Sequence, residues 1–203
     1  MTSEEFLDAV RFLPSQVRDM AVAATDVDGL PDRSGIDSVV ILGVGAGRVA
    51  GDVVAALSEL GASVPVVATG GRCPSWISSQ TLAIAVSQSG NEAATVSAAE
   101  HALEAGARLV AVTSGGRLGE VCAQWSVPVV PVDPEAGPSA GIGVAVVPVL
   151  VMLERLGLAN GMNRVISGTA AQLEERHRRL SEDTQPITDL AAVLPGRVAM
   201  VTG

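Results

Sequence analysis

Tyrosine and lysine are both absent from this chain, and its 203 residues include two Phe and two Trp. With aromatics at 2% and hydrophobic residues at 48%, the core has to be built from Ala, Val, Leu and Ile. Such a core suits a buried parallel α/β sheet better than an antiparallel sandwich. The absence of lysine excludes Schiff-base chemistry and a lysine clamp on phosphate. Any positive charge offered to a ligand must come from arginine or from backbone amides.

Cationic residues are outnumbered as well: 13 Arg stand against 22 acidic residues, for a net charge of -9 and a pI near 4.6. That balance gives no long-range attraction to nucleic acid or to anionic membranes, so neither is expected as a partner. Cys73 and Cys122 are the only cysteines. They form no C-x-x-C and have no histidine nearby, which argues against a disulfide framework or a zinc site and makes them small core hydrophobes. No metal is expected. The one long apolar run, Gly141 to Leu158, contains Pro148 and ends in Glu154 and Arg155. It falls short of the roughly 20 uninterrupted apolar residues of a membrane span and reads as a helix buried on most of its surface. The N-terminus, "MTSEEFLDAVRFL", is acidic and amphipathic rather than basic then apolar. It is not a signal peptide, and a reducing cytoplasm is the expected location.

The length has room for one full domain, or one domain plus part of another. Residues 4 to 24 have helical spacing, with Phe6, Leu7, Val10, Leu13 and Val17 on one side and a break at Pro14. After the loop "DGLPDRSGID", β-rich and helix-like runs alternate: strands ending at Gly43, Thr69, Val86, Thr113 and Val132, and helices near 47–60, 91–105 and 117–125. The link "GGRCPSWISSQ" reads as at most a short turn of helix. The pattern predicts right-handed βαβ crossovers and a doubly wound five-stranded parallel sheet with helices on both faces, flavodoxin-like if its order is 2-1-3-4-5. Residues 1–35 are expected to form an N-terminal helix and linker, 36–160 the domain, and 161–196 a helical linker with a solvated, charged face around "QLEERHRRL". Residues 197–203 read as a new strand, the first of a second, similar domain or an addition to the edge of the one sheet.

Ligands of such sheets lie at the carboxyl ends of the strands, where successive connections leave in opposite directions. Here that crevice falls between the first and third strands, flanked by "GVGAGRVAG" (43–51) and "SQSGNEAAT" (87–95), with "TSGGR" (113–117) beside them. Small side chains at helix N-termini suit an anion, because unpaired amides and the helix dipole favour negative charge there. Gly45, Gly47, Ser87, Ser89, Gly90, Asn91 and Ser114 are the candidate phosphate ligands, and Arg48 is the candidate cation. Glu92 puts a carboxylate where the anion would sit. The competing reading is a capping box, Ser89-Gly90-Asn91-Glu92, with Ser89 as the cap. If phosphate binds, Arg48 is expected to neutralise Glu92, with Arg117 next. Gly45-x-Gly47-x-x-Ala50 also matches a dinucleotide turn, but Arg72 stands where the acidic ribose ligand belongs, and no cofactor is expected. His101 and His177 have no nucleophile or carboxylate set around them, so no catalytic residue is assigned.

Taken together, "ILGVGAGRVAGD", "VPVVATGG", "TLAIAVSQSGNEAAT", "GARLVAVTSGGRLGE" and "VPVVPV" resemble, in order and spacing, the sugar isomerase (SIS) domain. Within that group they are similar to the first half of bifunctional phosphoglucose/phosphomannose isomerases. The resemblance implies a hexose phosphate ligand, a second SIS domain or a dimer partner, and aldose-ketose isomerisation of hexose 6-phosphates by acid/base proton transfer without a metal. It matches Ser87 and Ser89 to phosphate-contacting serines, and Gly43, Gly45 and Gly90 to turn glycines. It also marks departures. Glu92 replaces a threonine, Gly47 a serine, Arg48 a glycine and Ser139 an arginine, and the implied catalytic glutamate and histidine belong to a second half. Alone, the chain is expected to be inactive, acting as half of an isomerase or as a non-catalytic sensor or scaffold.

Overall fold

In a computed structural model, which describes residues 10–133 and 141–197, the sheet has five parallel strands in the order β2-β1-β3-β4-β5. The strands are β1 (Ser38–Leu42), β2 (Val66–Thr69), β3 (Thr81–Val86), β4 (Arg108–Thr113) and β5 (Val129–Pro131). The helices are α1 (Leu13–Thr25), α2 (Ala46–Ser58), α3 (Ala93–Glu104), α4 (Gly116–Trp125), α5 (Ile142–Arg155), α6 (Met162–Glu182) and α7 (Gln185–Val193). The link from Gly70 to Gln80 contains no helix.

Period-2 alternation sorts the strand residues into two cores. Val39, Ile41, Leu82, Ile84, Val110 and Val112 face α1, α2, α5 and α6. Val40, Leu42, Ala83, Ala85, Leu109 and Ala111 face α3 and α4, which answer with Ala98, Ala99, Ala102 and Leu118. The alanine-rich second face lets helix and sheet approach closely. All six residues of β3 are buried, as a central strand covered on both sides requires.

Pro14 sits in the first turn of α1, where its missing N–H costs nothing, so it starts the helix rather than kinking it. The buried face is therefore Pro14, Val17, Met20 and Ala24, while Val10 is exposed, unlike the face read from the sequence. Residues 4–9, and residues 198–203 of the terminal strand expected at 197–203, lie outside the described residues. Helix α5 is buried over most of its length, as expected. At its end Arg155 donates to the carbonyls of Ala24 (2.8 Å) and Val27 (2.9 Å), pinning the end of α1. Arg108 does the same for the following loop, donating to the carbonyls of Asp32 (2.6 Å) and Ser34 (2.7 Å). The planar, multi-donor guanidinium suits such clamps.

Candidate functional site

Helix α2 leaves β1 toward one face of the sheet and α3 leaves β3 toward the other, so their first turns part over neighbouring strands. The cleft between them, about 520 Å³, is lined by Val44, Gly45, Ala46 and Gly47 on one side and by Ser87, Gln88, Ser89, Asn91, Glu92 and Ser114 on the other. Of the candidate residues, Gly45, Gly47, Ser87, Ser89, Asn91, Glu92 and Ser114 come together here. Gly90 lies buried beneath them, and Arg48 is not among the lining residues.

Two glycines are required by the backbone. A Cβ on Gly47 would meet the carbonyl oxygen of Val86, so α2 begins in contact with the end of β3. Gly90 has φ +68°, and a Cβ there would collide with the carbonyl oxygen of Gly115. The β3–α3 turn is thereby pressed onto the β4–α4 turn. It is held by Ser114 N–H to Gln88 O (2.8 Å), Leu118 N–H to Gly90 O (2.8 Å) and Arg117 N–H to Asn91 Oδ1 (3.2 Å). Asn91 thus serves the start of α4.

The left-handed conformation of Gly90 also decides the capping question. A helix cannot run through it, so α3 starts at Ala93 with Glu92 as its N-cap residue and without a side-chain cap bond. The S-x-x-E box read from the sequence does not form. Ser89 Oγ accepts from the Asn91 amide (3.2 Å) in a local turn. The first i→i−4 bond of α3 runs from Val96 N–H to Glu92 O (3.0 Å), leaving the amides ahead of it without helical partners.

The Glu92 carboxylate turns into the cleft instead. It accepts hydrogen bonds from the Ser87 hydroxyl and, at 3.1 Å, from the Ser89 hydroxyl. Arg48 does not neutralise it: its Nε binds both carboxylate oxygens of Asp52, at 3.0 and 2.9 Å, one turn along α2. Arg117 is held by Glu120 at 2.8 Å and approaches Glu100 at 3.7 Å. Both pairs are i,i+3 or i,i+4 neighbours, and such local partners win over a carboxylate on another element because little chain entropy is lost. Their carboxylates hold both guanidinium pKa values above the usual arginine value, Asp52 acting on Arg48 and chiefly Glu120 on Arg117. Ser139, the other departure noted in the sequence, lies outside the described residues.

Neither histidine reaches the cleft: His101 is exposed in the last turn of α3 and His177 is exposed on α6. Among the described residues no group of three or more His, Cys, Asp and Glu is arranged to hold a metal ion. Cys122 is buried and burial pushes its thiol up to about 11, while Cys73 is half-buried, its thiol also raised by burial. Among the described residues no helix is long and apolar enough to cross a membrane.

The fold recurs in solved structures. Tagatose-6-phosphate ketose/aldose isomerase from Escherichia coli superposes with a TM-score of 0.57 at 15% identity, over 84% of this chain and 53% of that one. The chain carries the SIS fold. In sequence, this SIS domain is 28% identical over 185 residues to the bifunctional phosphoglucose/phosphomannose isomerase of Caldicellulosiruptor bescii, covering 91% of the chain and 55% of the relative. It is 33% identical over 147 residues to the enzyme of that name from Thermoplasma acidophilum, covering 72% and 43%. The chain spans about half the length of the curated relatives it matches. No protein-family model matches it.

Proposed function

We propose that this SIS domain binds a hexose phosphate in the cleft between the β1–α2 and β3–α3 turns, as one half of a phosphoglucose/phosphomannose isomerase-like assembly. The observation that carries this reading is the cleft itself. Two glycine- and serine-rich turns open helices on either side of the switch point, where α/β sheets take their ligands. The names of the relatives supply the substrate class: interconversion of hexose 6-phosphates between aldose and ketose forms, a proton transfer next to a carbonyl.

That chemistry needs a general base and a general acid within reach of the substrate. Among the described residues Glu92 is the one ionisable side chain lining the cleft, and its oxygens accept from two serines. The remaining groups are therefore assigned to a second SIS domain or to a dimer partner. The same observation favours a second reading, a non-catalytic module that senses a sugar phosphate. A coupled assay interconverting fructose 6-phosphate with glucose 6-phosphate and mannose 6-phosphate separates the two. Under either reading the isolated chain shows no turnover. Turnover on adding the missing partner half supports the first reading, and turnover by the chain alone refutes the need for a partner.

A further inference from the structure

Each hydroxyl lining the cleft has one proton to donate, and every one is already given to the protein. Ser87 donates to one oxygen of Glu92 and Ser89 to the other. Ser114 donates to the carbonyl of Gln88 at 2.7 Å. Ser87 is only 4% exposed and its oxygen accepts the Gly90 amide at 2.9 Å, so it is fixed in place from both sides. The cations that could offset an added anion, Arg48 and Arg117, are bound to Asp52 and to Glu120 with Glu100. Among the described residues no cation lines the cleft, and the one charged side chain there, Glu92, is negative.

From this we infer that Glu92 is an internal occupant of the anion subsite and sets the charge of ligand that the cleft accepts. While Glu92 holds Ser87 and Ser89, the mouth of α3 presents a carboxylate acceptor. It takes a sugar end bearing hydroxyl or ammonium donors, which a carboxylate binds by charge-assisted hydrogen bonds. A phosphate ester meets like charge at close range and finds no free hydroxyl. It enters only when Glu92 withdraws and returns both serine protons to the site. The inference rests on the hexose phosphate reading of this cleft and deepens it: the sugar end engages Glu92 first and the phosphate end enters only once Glu92 withdraws, so Glu92 determines specificity there.

The test is an NMR titration of the wild-type chain, Glu92→Gln and Glu92→Thr with glucosamine, fructose 6-phosphate and inorganic phosphate. Melting temperatures establish that all three proteins are folded. Glutamine keeps the size and removes the charge, and threonine also restores a hydroxyl. The wild type is expected to prefer glucosamine. Both variants are expected to reverse that order, binding fructose 6-phosphate and inorganic phosphate at least tenfold more tightly than the wild type and glucosamine more weakly. Equal phosphate-ester affinity in the wild type and Glu92→Gln overturns the inference while leaving the sugar-binding reading intact. Absence of binding of any ligand by all three folded proteins overturns that reading and the inference with it.

Discussion

A carboxylate seated between two serine hydroxyls, in a turn closed by a left-handed glycine, is the residue-scale feature that fills the cleft. Gly90 holds the turn. Its positive φ and its contact with Gly115 mean that Gly90→Ala has to move backbone, and a loss of roughly 2–4 kcal/mol is expected by urea unfolding. Threonine at position 95 gives a test of opposite sign. Its hydroxyl is fully buried without a hydrogen-bond partner. Thr95→Val is therefore expected to be neutral or to stabilise by about 1 kcal/mol, since it removes an unmet polar group at nearly constant shape, and the melting temperature reads this directly. Cys122 supplies a residue-scale dependence on pH. Its folded-state pKa of about 11 lies above the ordinary thiol value of 9.0, so its contribution to stability is complete below about pH 9 and is lost as pH rises toward 11. Thiol-reagent labelling of the native protein is expected to modify half-buried Cys73 first, and Cys122 only on unfolding.

Among the elements, α6 divides into two parts with different supports. Its first half packs Met162, Ile166 and Ala170 into the core, whereas its second half is held by exposed ion pairs: Glu175 with Arg178 (2.8 Å) and Arg179 (2.6 Å), and Arg178 with Glu182 (2.6 Å). Hydrogen bonds from Arg178 and Arg179 lower the Glu175 carboxyl from 4.5 to about 2. The sign follows: its stabilising contribution is present above about pH 4.5 and disappears as pH falls toward 2. Far-UV circular dichroism is expected to show partial loss of helix in that window while the buried elements persist, and added salt is expected to reproduce part of the loss at neutral pH. The aliphatic runs and their turns made the strands legible in the sequence, and the doubly wound pattern supplied their order. The start of α3 was not legible, because S-G-N-E fits a capping box, and only the backbone angle at Gly90, imposed by the neighbouring turn, moves the first helical residue to Ala93.

For the whole molecule, the two cores on opposite faces of one sheet place the cleft on a rigid base, with β1 and β3 buried on both sides. Helices α1, α5 and α6 share the first core, so the segment before β1 and the helix after β5 are part of the support rather than attachments to it. The net charge of -9 surrounds a cleft whose only charge among the described residues is also negative, so no favourable long-range steering of anions is expected. Association rates for fructose 6-phosphate are accordingly expected to rise with ionic strength in the wild type, and stopped-flow mixing at two salt concentrations checks this.

By itself the sequence determined the α/β class, the strand order, the two turns that meet at the switch point and the likeness to sugar isomerases. The elements and turns follow from short-range signals, period-2 burial, helix-period runs and glycine or serine at chain reversals, whereas the strand order follows only once the flavodoxin-like pattern is assumed. It also brought Glu92 into question without settling where its carboxylate points. Only the tertiary structure decided that. Arg48 and Arg117 take partners on their own helices, while Ser87 and Ser89 aim their protons at Glu92 because Gly90 and Gly115 press the two turns together. The arginines' partners are encoded by local i,i+3 and i,i+4 spacing, but where Glu92 points depends on how the two turns pack, which no local pattern encodes.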